Sequence, residues 1–230
     1  MKIVFMGTPD FARISLERLL CSPHQVLAVV TQPDRPKGRG MKVQPSPVKT
    51  LALRQNLPIF SPYRLPDINL MDFLGEYQPE AIVVVAYGLK IPPELLCFAP
   101  FGCLNLHASL LPKYRGANPI QWAIIDGEKT TGITTMKMDE GWDTGAILLS
   151  KEVKIKEDDN FETLHDKLAE DGADLLVQTL TLLEKRLLTP TPQKNNEATC
   201  ARKLTEKDIE INWENSTLDL FNLIRALNPW

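Results

Sequence analysis

The chain has 230 residues, with 26 Lys and Arg against 29 Asp and Glu, a net charge of -3 and a hydrophobic fraction of 43%. This composition excludes global disorder and allows one domain, or two, with a sizeable core. No apolar run approaches the roughly 20 residues of a membrane span, and a signal-peptide cleavage site is lacking. Four scattered cysteines without CxxC spacing indicate reduced thiols, so we expect a cytoplasmic protein without a membrane anchor.

Apolar runs alternate with helical segments through the first half of the chain. The predicted strands span residues 2–6, 26–31, 81–86, 102–107 and 132–138. The run 81–86 (AIVVVA) is continuous, as is typical of a parallel strand covered on both faces, and 132–138 alternates like a half-buried strand. Such strands alternating with helices predict an α/β fold with a mostly parallel sheet.

The second half begins with a long amphipathic segment, 161–188, whose leucines recur at near-helical spacing. It predicts a helix that ends before two closely spaced prolines, because proline cannot continue a helix. Residues 189–205 are polar and irregular, as is typical of a linker. A further helix is expected from Leu218, and the chain ends at Trp230 directly after it. Because that is an unusual place for a domain to finish, we expect the chain to be truncated.

The turn after the first strand is Gly7-Thr8-Pro9-Asp10. Thr8 can cap the next helix, and Pro9 suits the first helical position. Because open parallel sheets bind ligands at the carboxyl ends of their strands, this turn is a candidate phosphate or substrate site. A plain strand-to-helix connection fits equally well. The missing GxGxxG pattern disfavours a dinucleotide-binding fingerprint.

A second candidate segment follows the predicted strand 102–107. Side chains alternate along a strand, so Asn105 and His107 lie on the same face, near its carboxyl end. An amide beside an imidazole can polarise a carbonyl group and stabilise a developing oxyanion. A single histidine at a strand end is more often structural. Its pairing with Asn105 and the polar loop that follows leave the catalytic interpretation open.

The third candidate segment, Asp139 to Gly145, holds two glycines and three carboxylates after a strand. Metal binding is one interpretation, but no His or Cys has suitable ligand spacing, and a simple turn between two strands is another. A sharper hypothesis is that Asp143 approaches His107, orients its ring and accepts a proton.

These segments together resemble the folate-dependent formyltransferases. The motifs are Gly7-Thr8-Pro9-Asp10-Phe11, Asn105-x-His107, Ser109-Leu110-Leu111-Pro112-x-x-Arg115-Gly116-Ala117 and Asp143-Thr144-Gly145. The resemblance implies a Rossmann-like formyltransferase domain with a mostly parallel sheet at 1–188, a linker at 189–205, and, at 206–230, the truncated start of a C-terminal tRNA-binding β-barrel (OB-like) domain. It also implies 10-formyltetrahydrofolate as the formyl donor, with no metal.

The resemblance carries roles onto particular residues of this chain. Asn105, His107 and Asp143 match the catalytic trio of the family. The folate-contacting loop matches Ser109, Leu110, Leu111 and Pro112, and the segment that flanks the pterin matches Val85, Ala86, Tyr87, Gly88 and Leu89. Glu140 and Trp142 depart from the family, where smaller or aliphatic residues are expected, so details of that loop differ.

Basic residues are concentrated in two parts of this slightly acidic chain. Residues 34–54 carry six basic residues against one acidic residue, and residues 185–207 carry six against two. The first part resembles a basic insertion loop of the family, and it includes the candidate RNA-binding residues Arg35, Lys37, Arg39 and Lys42. A charge run is more often a solvated surface, but two such runs beside a candidate active site suit an RNA acceptor stem.

Three functions remain open at this point. The resemblance favours transfer of a formyl group to the amino group of initiator methionyl-tRNA, by a monomeric enzyme. Transfer to a small amine, such as a ribonucleotide or an amino sugar, is the alternative within the family, but a small acceptor needs no basic loop. The third function is that of a folate- or RNA-binding module without activity. The presence of all three residues of the catalytic trio argues against it.

Overall fold

The computed structural model describes residues 1–38 and 40–229. Its strands are β1 (Lys2–Gly7), β2 (Gln25–Val30), β3 (Arg35–Lys37), β4 (Lys42–Gln44), β5 (Ile59–Phe60), β6 (Ala81–Val85), β7 (Cys103–His107), β8 (Arg115–Gly116), β9 (Thr130–Lys137), β10 (Ala146–Lys154) and β11 (Cys200–Ala201). Its α-helices are α1 (Asp10–Leu20), α2 (Pro47–Arg54), α3 (Ile68–Tyr77), α4 (Pro93–Leu96), α5 (Pro119–Ile125), α6 (Phe161–Glu184), α7 (Glu206–Ile209) and α8 (Thr217–Leu227).

The main sheet has seven strands in the order β10-β9-β7-β6-β1-β2-β5 within the described residues. Every neighbouring pair from β7 to β5 is parallel, whereas β9 runs antiparallel to both β7 and β10. The prediction of an α/β fold with a mostly parallel sheet is therefore confirmed. All five predicted strands are present, and β10 joins them at one edge.

Helices cover both faces of the sheet. On one face, Val83 and Val85 of β6 pack into a core with α1, α2, α5 and α6. On the other face, Ile82 and Val84 pack with α3 and α4. Because each face is covered, every residue of β6 is buried, which explains why this strand reads as a continuous apolar run.

The turn after β1 leaves no room for a side chain at Gly7. A Cβ atom on Gly7 would lie 2.7 Å from the Cβ of Ala12 and 2.9 Å from the carbonyl oxygen of Val85. The prediction that Thr8 caps α1 is wrong, because Pro9 occupies the N-cap position and supplies no side-chain hydrogen bond. The Thr8 hydroxyl instead donates to the carbonyl oxygen of Tyr87 at 3.2 Å, which ties this turn to the end of β6.

The C-terminal part of the described chain is bound to the sheet domain at several points. Helix α6 begins after an Asn160 cap and ends at Glu184, four residues before the predicted end. Further along, β11 pairs with β8 in parallel. Arg225 of α8 donates to the carbonyl oxygen of Asp159 at 3.0 Å. Trp230 lies outside the described residues. Among residues 1–38 and 40–229, no helix is long and apolar enough to cross a membrane.

Candidate active site

Asn105 and His107 lie side by side on β7, as the strand period predicts, and both are buried. Neighbouring strands fix their places, since Asn105 pairs with Val84 on one side and with Met136 on the other. In the part of the chain that the structure describes, no group hydrogen-bonds to the Asn105 carboxamide. Its N–H groups are therefore available to a substrate oxygen.

The His107 ring has one nitrogen committed to the protein. Nε2 lies 2.8 Å from the carbonyl oxygen of Tyr114. A carbonyl oxygen can only accept, so Nε2 carries a hydrogen and donates it. The opposite nitrogen, Nδ1, faces the Asp143 carboxylate, with Oδ2 at 3.6 Å. Any hydrogen that His107 gives to a substrate must therefore come from Nδ1.

Asp143 reaches His107 by a route that the sequence pattern did not predict. Because β9 runs antiparallel to β7, the loop after β9 begins beside Leu104, at the other end of β7 from His107. The loop folds back so that the Asp143 carboxylate approaches the ring and accepts a hydrogen bond from the Gly116 N–H at 2.8 Å. Asp143 has a φ of +54°, in the left-handed region that non-glycine residues seldom adopt.

The loop after His107 uses most of its polar groups internally. Ser109 donates its hydroxyl to the carbonyl oxygen of Lys113 at 2.6 Å, and its own carbonyl accepts from the Thr134 hydroxyl at 2.7 Å. The Leu110 side chain packs against Gly132, where a Cβ atom would come within 2.5 Å of it. Leu111 is buried, and its N–H donates to Thr134. Pro112 is half-buried and follows a cis peptide bond.

The segment after β6 exposes its backbone to solvent more than its side chains. Val85 is fully buried in the core, and Tyr87 is almost fully buried, which raises the pKa of its phenol. Ala86 and Gly88 are exposed and have positive φ values of +44° and +85°. Leu89 is half-buried. Of these five residues, Ala86 and Gly88 are therefore the most exposed to solvent.

The basic insertion forms a hairpin. Strands β3 and β4 pair antiparallel, with Lys37 opposite Lys42 and Arg35 opposite Gln44. The Arg35 and Lys42 side chains are exposed. Arg39, which the sequence also indicated, lies outside the described residues. The structure thus places the exposed side chains of Arg35 and Lys42 on one two-stranded ribbon.

Tyr114 is a site residue that the sequence reasoning missed. Besides holding His107 through its carbonyl, it lies at a φ of +58° and points its phenol at the carboxylates of Asp126 and Glu128, at 3.0 and 3.1 Å. Burial and these two carboxylates raise the pKa of the phenol, which keeps it a hydrogen-bond donor. The polar Tyr114-Arg115-Gly116 run indicated a turn, but not which group would face His107.

The described residues include no group of three or more His, Cys, Asp or Glu side chains that could hold a metal ion. Two carboxylates of the Asp139–Gly145 loop, those of Asp139 and Asp143, make contacts within the protein. The Asp139 carboxylate accepts from the Thr144 hydroxyl at 2.6 Å and from the Gly141 N–H at 3.1 Å, which closes the loop on itself.

Comparison with known structures supports this architecture. The N-formyltransferase from Helicobacter canadensis, solved with folinic acid and dTDP-3-aminofucose, superposes with a TM-score of 0.76 at 21% identity, over 98% of this chain and 80% of that one. Phosphoribosylglycinamide formyltransferase from Bacillus halodurans gives 0.68 at 26% identity, over 81% of this chain and 97% of that one. At such low identity, the first of these shows the fold alone.

Sequence comparison is more specific. The formyl transferase family matches residues 1–180. Methionyl-tRNA formyltransferase from Pelotomaculum thermopropionicum is 52% identical over 230 residues, which cover 100% of this chain and 73% of that protein. The enzyme of the same name from Caldanaerobacter subterraneus is 53% identical, over 100% of this chain and 75% of that protein. This chain therefore belongs to the formyl transferase family, among the methionyl-tRNA formyltransferases.

Proposed function

We propose that this protein transfers the formyl group of 10-formyltetrahydrofolate to the free amino group of initiator methionyl-tRNA. The observation that carries the proposal is the meeting of Asn105, His107 and Asp143, with Asp143 Oδ2 3.6 Å from His107 Nδ1. The names of relatives that share half of its residues support the choice of acceptor.

The proposed reaction needs a group that stabilises an oxyanion and a route for one proton. The amine nitrogen attacks the formyl carbon, and the formyl C=O becomes a tetrahedral alkoxide. The Asn105 carboxamide and an Nδ1–H of His107 donate to that oxygen, and the Asp143 carboxylate lies beside the same nitrogen. The bond from carbon to folate N10 then breaks. The proton lost by the amine passes through Asp143, directly or through water, and ends on N10.

The folate-binding surface is proposed to lie on the two segments described above. Ser109, Leu110, Leu111 and Pro112 lie just after His107, and the Ser109 hydroxyl, the Ser109 carbonyl and the Leu111 N–H are used to fix the loop. Contacts to a pterin would therefore come from the half-buried Leu110 and Pro112 of this loop and from Ala86 and Gly88. A rigid, pre-formed surface suits a flat heterocycle, because little freedom is lost on binding.

The basic hairpin β3–β4 is the proposed contact for the tRNA acceptor stem. Arg35 and Lys42 present exposed charges that have no ion-pair partner among the described residues, whereas the nearby Lys49 is already paired with Asp34 at 2.7 Å. Lys37 and Arg39 extend the same basic run. Positive side chains on an exposed ribbon can bind phosphates without reading bases, which suits placing an acceptor end near the active site.

The division into a catalytic domain (1–188), a linker (189–205) and the start of a tRNA-binding domain (206–230) belongs to the same proposal. The polar composition of residues 189–205 and the basic residues between 185 and 207 support it. We further infer that the enzyme acts as a monomer in the cytoplasm, where its tRNA substrate is made. A single species of about 26 kDa in solution scattering would agree with that inference, and a stable dimer would contradict it.

The decisive experiment is a formyl-transfer assay with 10-formyltetrahydrofolate and initiator methionyl-tRNA. We expect transfer by the wild-type chain and a loss of at least about a hundredfold in His107→Ala, as for removal of an oxyanion donor. Parallel reactions offer two small amines, glycinamide ribonucleotide and a nucleotide-linked amino sugar. Efficient transfer to either small amine, with none to the tRNA, would overturn the proposed acceptor. Folate binding without transfer to any of the three would indicate an inactive module.

A further inference from the structure

We propose that Gln193 is a positioning residue for Asp143, held in place by Arg115. This inference rests on the proposed function and extends it to the segment after α6, which the sequence identified only as a linker. Gln193 does not reach the reacting atoms. It acts on the backbone that carries the Asp143 carboxylate.

Both ends of the Gln193 carboxamide are used. Its Nε2 donates to the carbonyl oxygens of Asp143, at 2.9 Å, and Gly145, at 2.7 Å. Its Oε1 accepts from two nitrogens of the Arg115 guanidinium, Nε at 3.0 Å and Nη2 at 2.8 Å. The amide nitrogen thus donates to two carbonyl oxygens, and the amide oxygen accepts from two guanidinium nitrogens. These partners determine the orientation of the amide.

Asp143 needs such support because of its backbone conformation. Its φ of +54° is unfavourable for a residue with a Cβ atom, and a free loop would leave it readily. Gln193 binds the carbonyl of Asp143 itself and the carbonyl two residues later, so it holds the backbone over that turn. The direction of the Asp143 side chain follows from that backbone.

The same short run of residues connects this support to the histidine. The Tyr114 carbonyl accepts from His107, Arg115 binds Gln193, and the Gly116 N–H donates to the Asp143 carboxylate at 2.8 Å. Three consecutive residues therefore hold the histidine, the Gln193 amide and the aspartate. Gln193 closes the network by joining Arg115 to the Asp143 backbone.

Two substitutions separate the parts of this contact. Gln193→Ala removes both ends of the amide. Gln193→Glu keeps the size and the Arg115 contact, but replaces the donor with an oxygen that repels the two carbonyls. We expect either change to lower kcat about tenfold or more, with KM for folate and tRNA within about threefold, since misplacement of a catalytic group by about 1 Å costs up to a hundredfold. The exposed neighbour Asn196→Ala, which is uncharged and takes no part in these contacts, is the matched control and keeps wild-type kcat.

A double-mutant cycle distinguishes positioning from a general structural role. If Gln193 acts through Asp143, Gln193→Ala lowers kcat by less than about twofold in an Asp143→Asn background, because the effects of residues that act as a unit do not add. A general weakening of the fold would lower kcat by the same factor in both backgrounds. Equal factors would therefore overturn the proposal, as would a change confined to KM.

Amide hydrogen exchange at Gly116 tests the geometry without any turnover. Its N–H is protected by the Asp143 carboxylate, so we expect faster exchange in both Gln193 variants and in Asp143→Ala, but not in Asn196→Ala. Unchanged Gly116 protection in the Gln193 variants would contradict the proposal, whatever the activity. If the wild-type chain transferred no formyl group, the proposed function would fail, and this measurement would still decide whether Gln193 positions Asp143.

Discussion

The carbonyl oxygen of Tyr114 fixes the His107 ring by accepting a hydrogen bond from Nε2 at 2.8 Å. Tyr114 is itself held at both ends. Its N–H donates to the Thr199 hydroxyl at 2.8 Å, and its phenol donates to Asp126 at 3.0 Å. The ring therefore has one orientation, in which Nδ1 alone is left for a substrate and for Asp143.

This orientation predicts that two amide replacements of His107 differ. In His107→Asn the amide stands near the position of Nδ1, whereas in His107→Gln it reaches toward the position of Nε2. Both variants lose a titratable ring and fall at least about a hundredfold in kcat. We expect His107→Asn to retain about tenfold more activity than His107→Gln, because it still places a donor toward the substrate. Single-turnover formyl transfer at saturating folate measures both. A more active His107→Gln would show that Nε2 does the chemistry.

Much of the fold was predictable from the apolar pattern. Strand β6 reads as a continuous apolar run because helices cover both of its faces. The direction of β9 was not predicted, and its predicted half-burial was wrong, because Thr131 to Met136 are all buried between the covering elements of the sheet. The end of α6 was placed too late. The chain turns at Arg186, with a φ of +56°, before the prolines that marked the predicted end.

The positions of the site residues on a strand were predictable, whereas the positions of those in loops were not. A period of two puts Asn105 and His107 on one face of β7, whatever surrounds them. The contacts of Gln193 join residues about 50 positions apart through backbone carbonyls, whose directions depend on loop conformation. No pattern of side-chain types encodes such contacts. Asp143 was indicated only by the family resemblance and its polar, glycine-containing loop.

The basic hairpin makes a prediction about salt dependence. In the double variant Arg35→Ala/Lys42→Ala, we expect Kd for initiator methionyl-tRNA to rise about tenfold and KM for folate to stay unchanged. The slope of log affinity against log salt should fall by about 1.5, since each lost phosphate contact removes about 0.7 to 0.9. A filter-binding titration over a range of salt concentrations provides both values.

Lys2→Ala is the matched control for this measurement. Lys2 is exposed at the amino end of β1, at the opposite edge of the sheet from the candidate active site. Its removal takes away a positive charge without touching the hairpin, so affinity and slope should stay close to the wild-type values. Equal losses in the control and the double variant would mean that net charge, and not the hairpin, governs binding.

A buried histidine far from the active site predicts how stability changes with pH. The pKa of His24 is lowered below 6.5, first by burial and then by the N-terminal ammonium group, which lies 3.2 Å from Nδ1, while Glu184 opposes the shift. Because the folded pKa is below the unfolded one, the unfolded chain binds more protons as the pH falls below 6.5. This residue therefore destabilises the fold progressively from pH 6.5 down to its folded pKa.

Replacing the ring isolates that contribution. Between about pH 7.5 and about pH 5.5, the urea midpoint of His24→Gln should fall less than that of the wild type, because the variant has no ring to protonate. The remaining titratable groups are the same in both proteins, so the difference between the two curves reports His24. Parallel curves would show that His24 titrates alike in the folded and unfolded states.

Alanine substitutions at two glycines, Gly7 and Gly75, are expected to change the free energy of unfolding in opposite directions. In Gly7→Ala the new Cβ atom would lie 2.7 Å from Ala12 and 2.9 Å from the Val85 carbonyl oxygen, so α1 must move away from the sheet. We expect a loss of about 1 to 3 kcal/mol, as for overpacking elsewhere. Gly75→Ala, within α3, meets nothing within 4 Å and should gain about 0.5 to 1 kcal/mol from helix propensity. Urea unfolding of both variants checks the pair. A neutral Gly7→Ala would mean that the turn yields easily, and that close packing is not why glycine stands there.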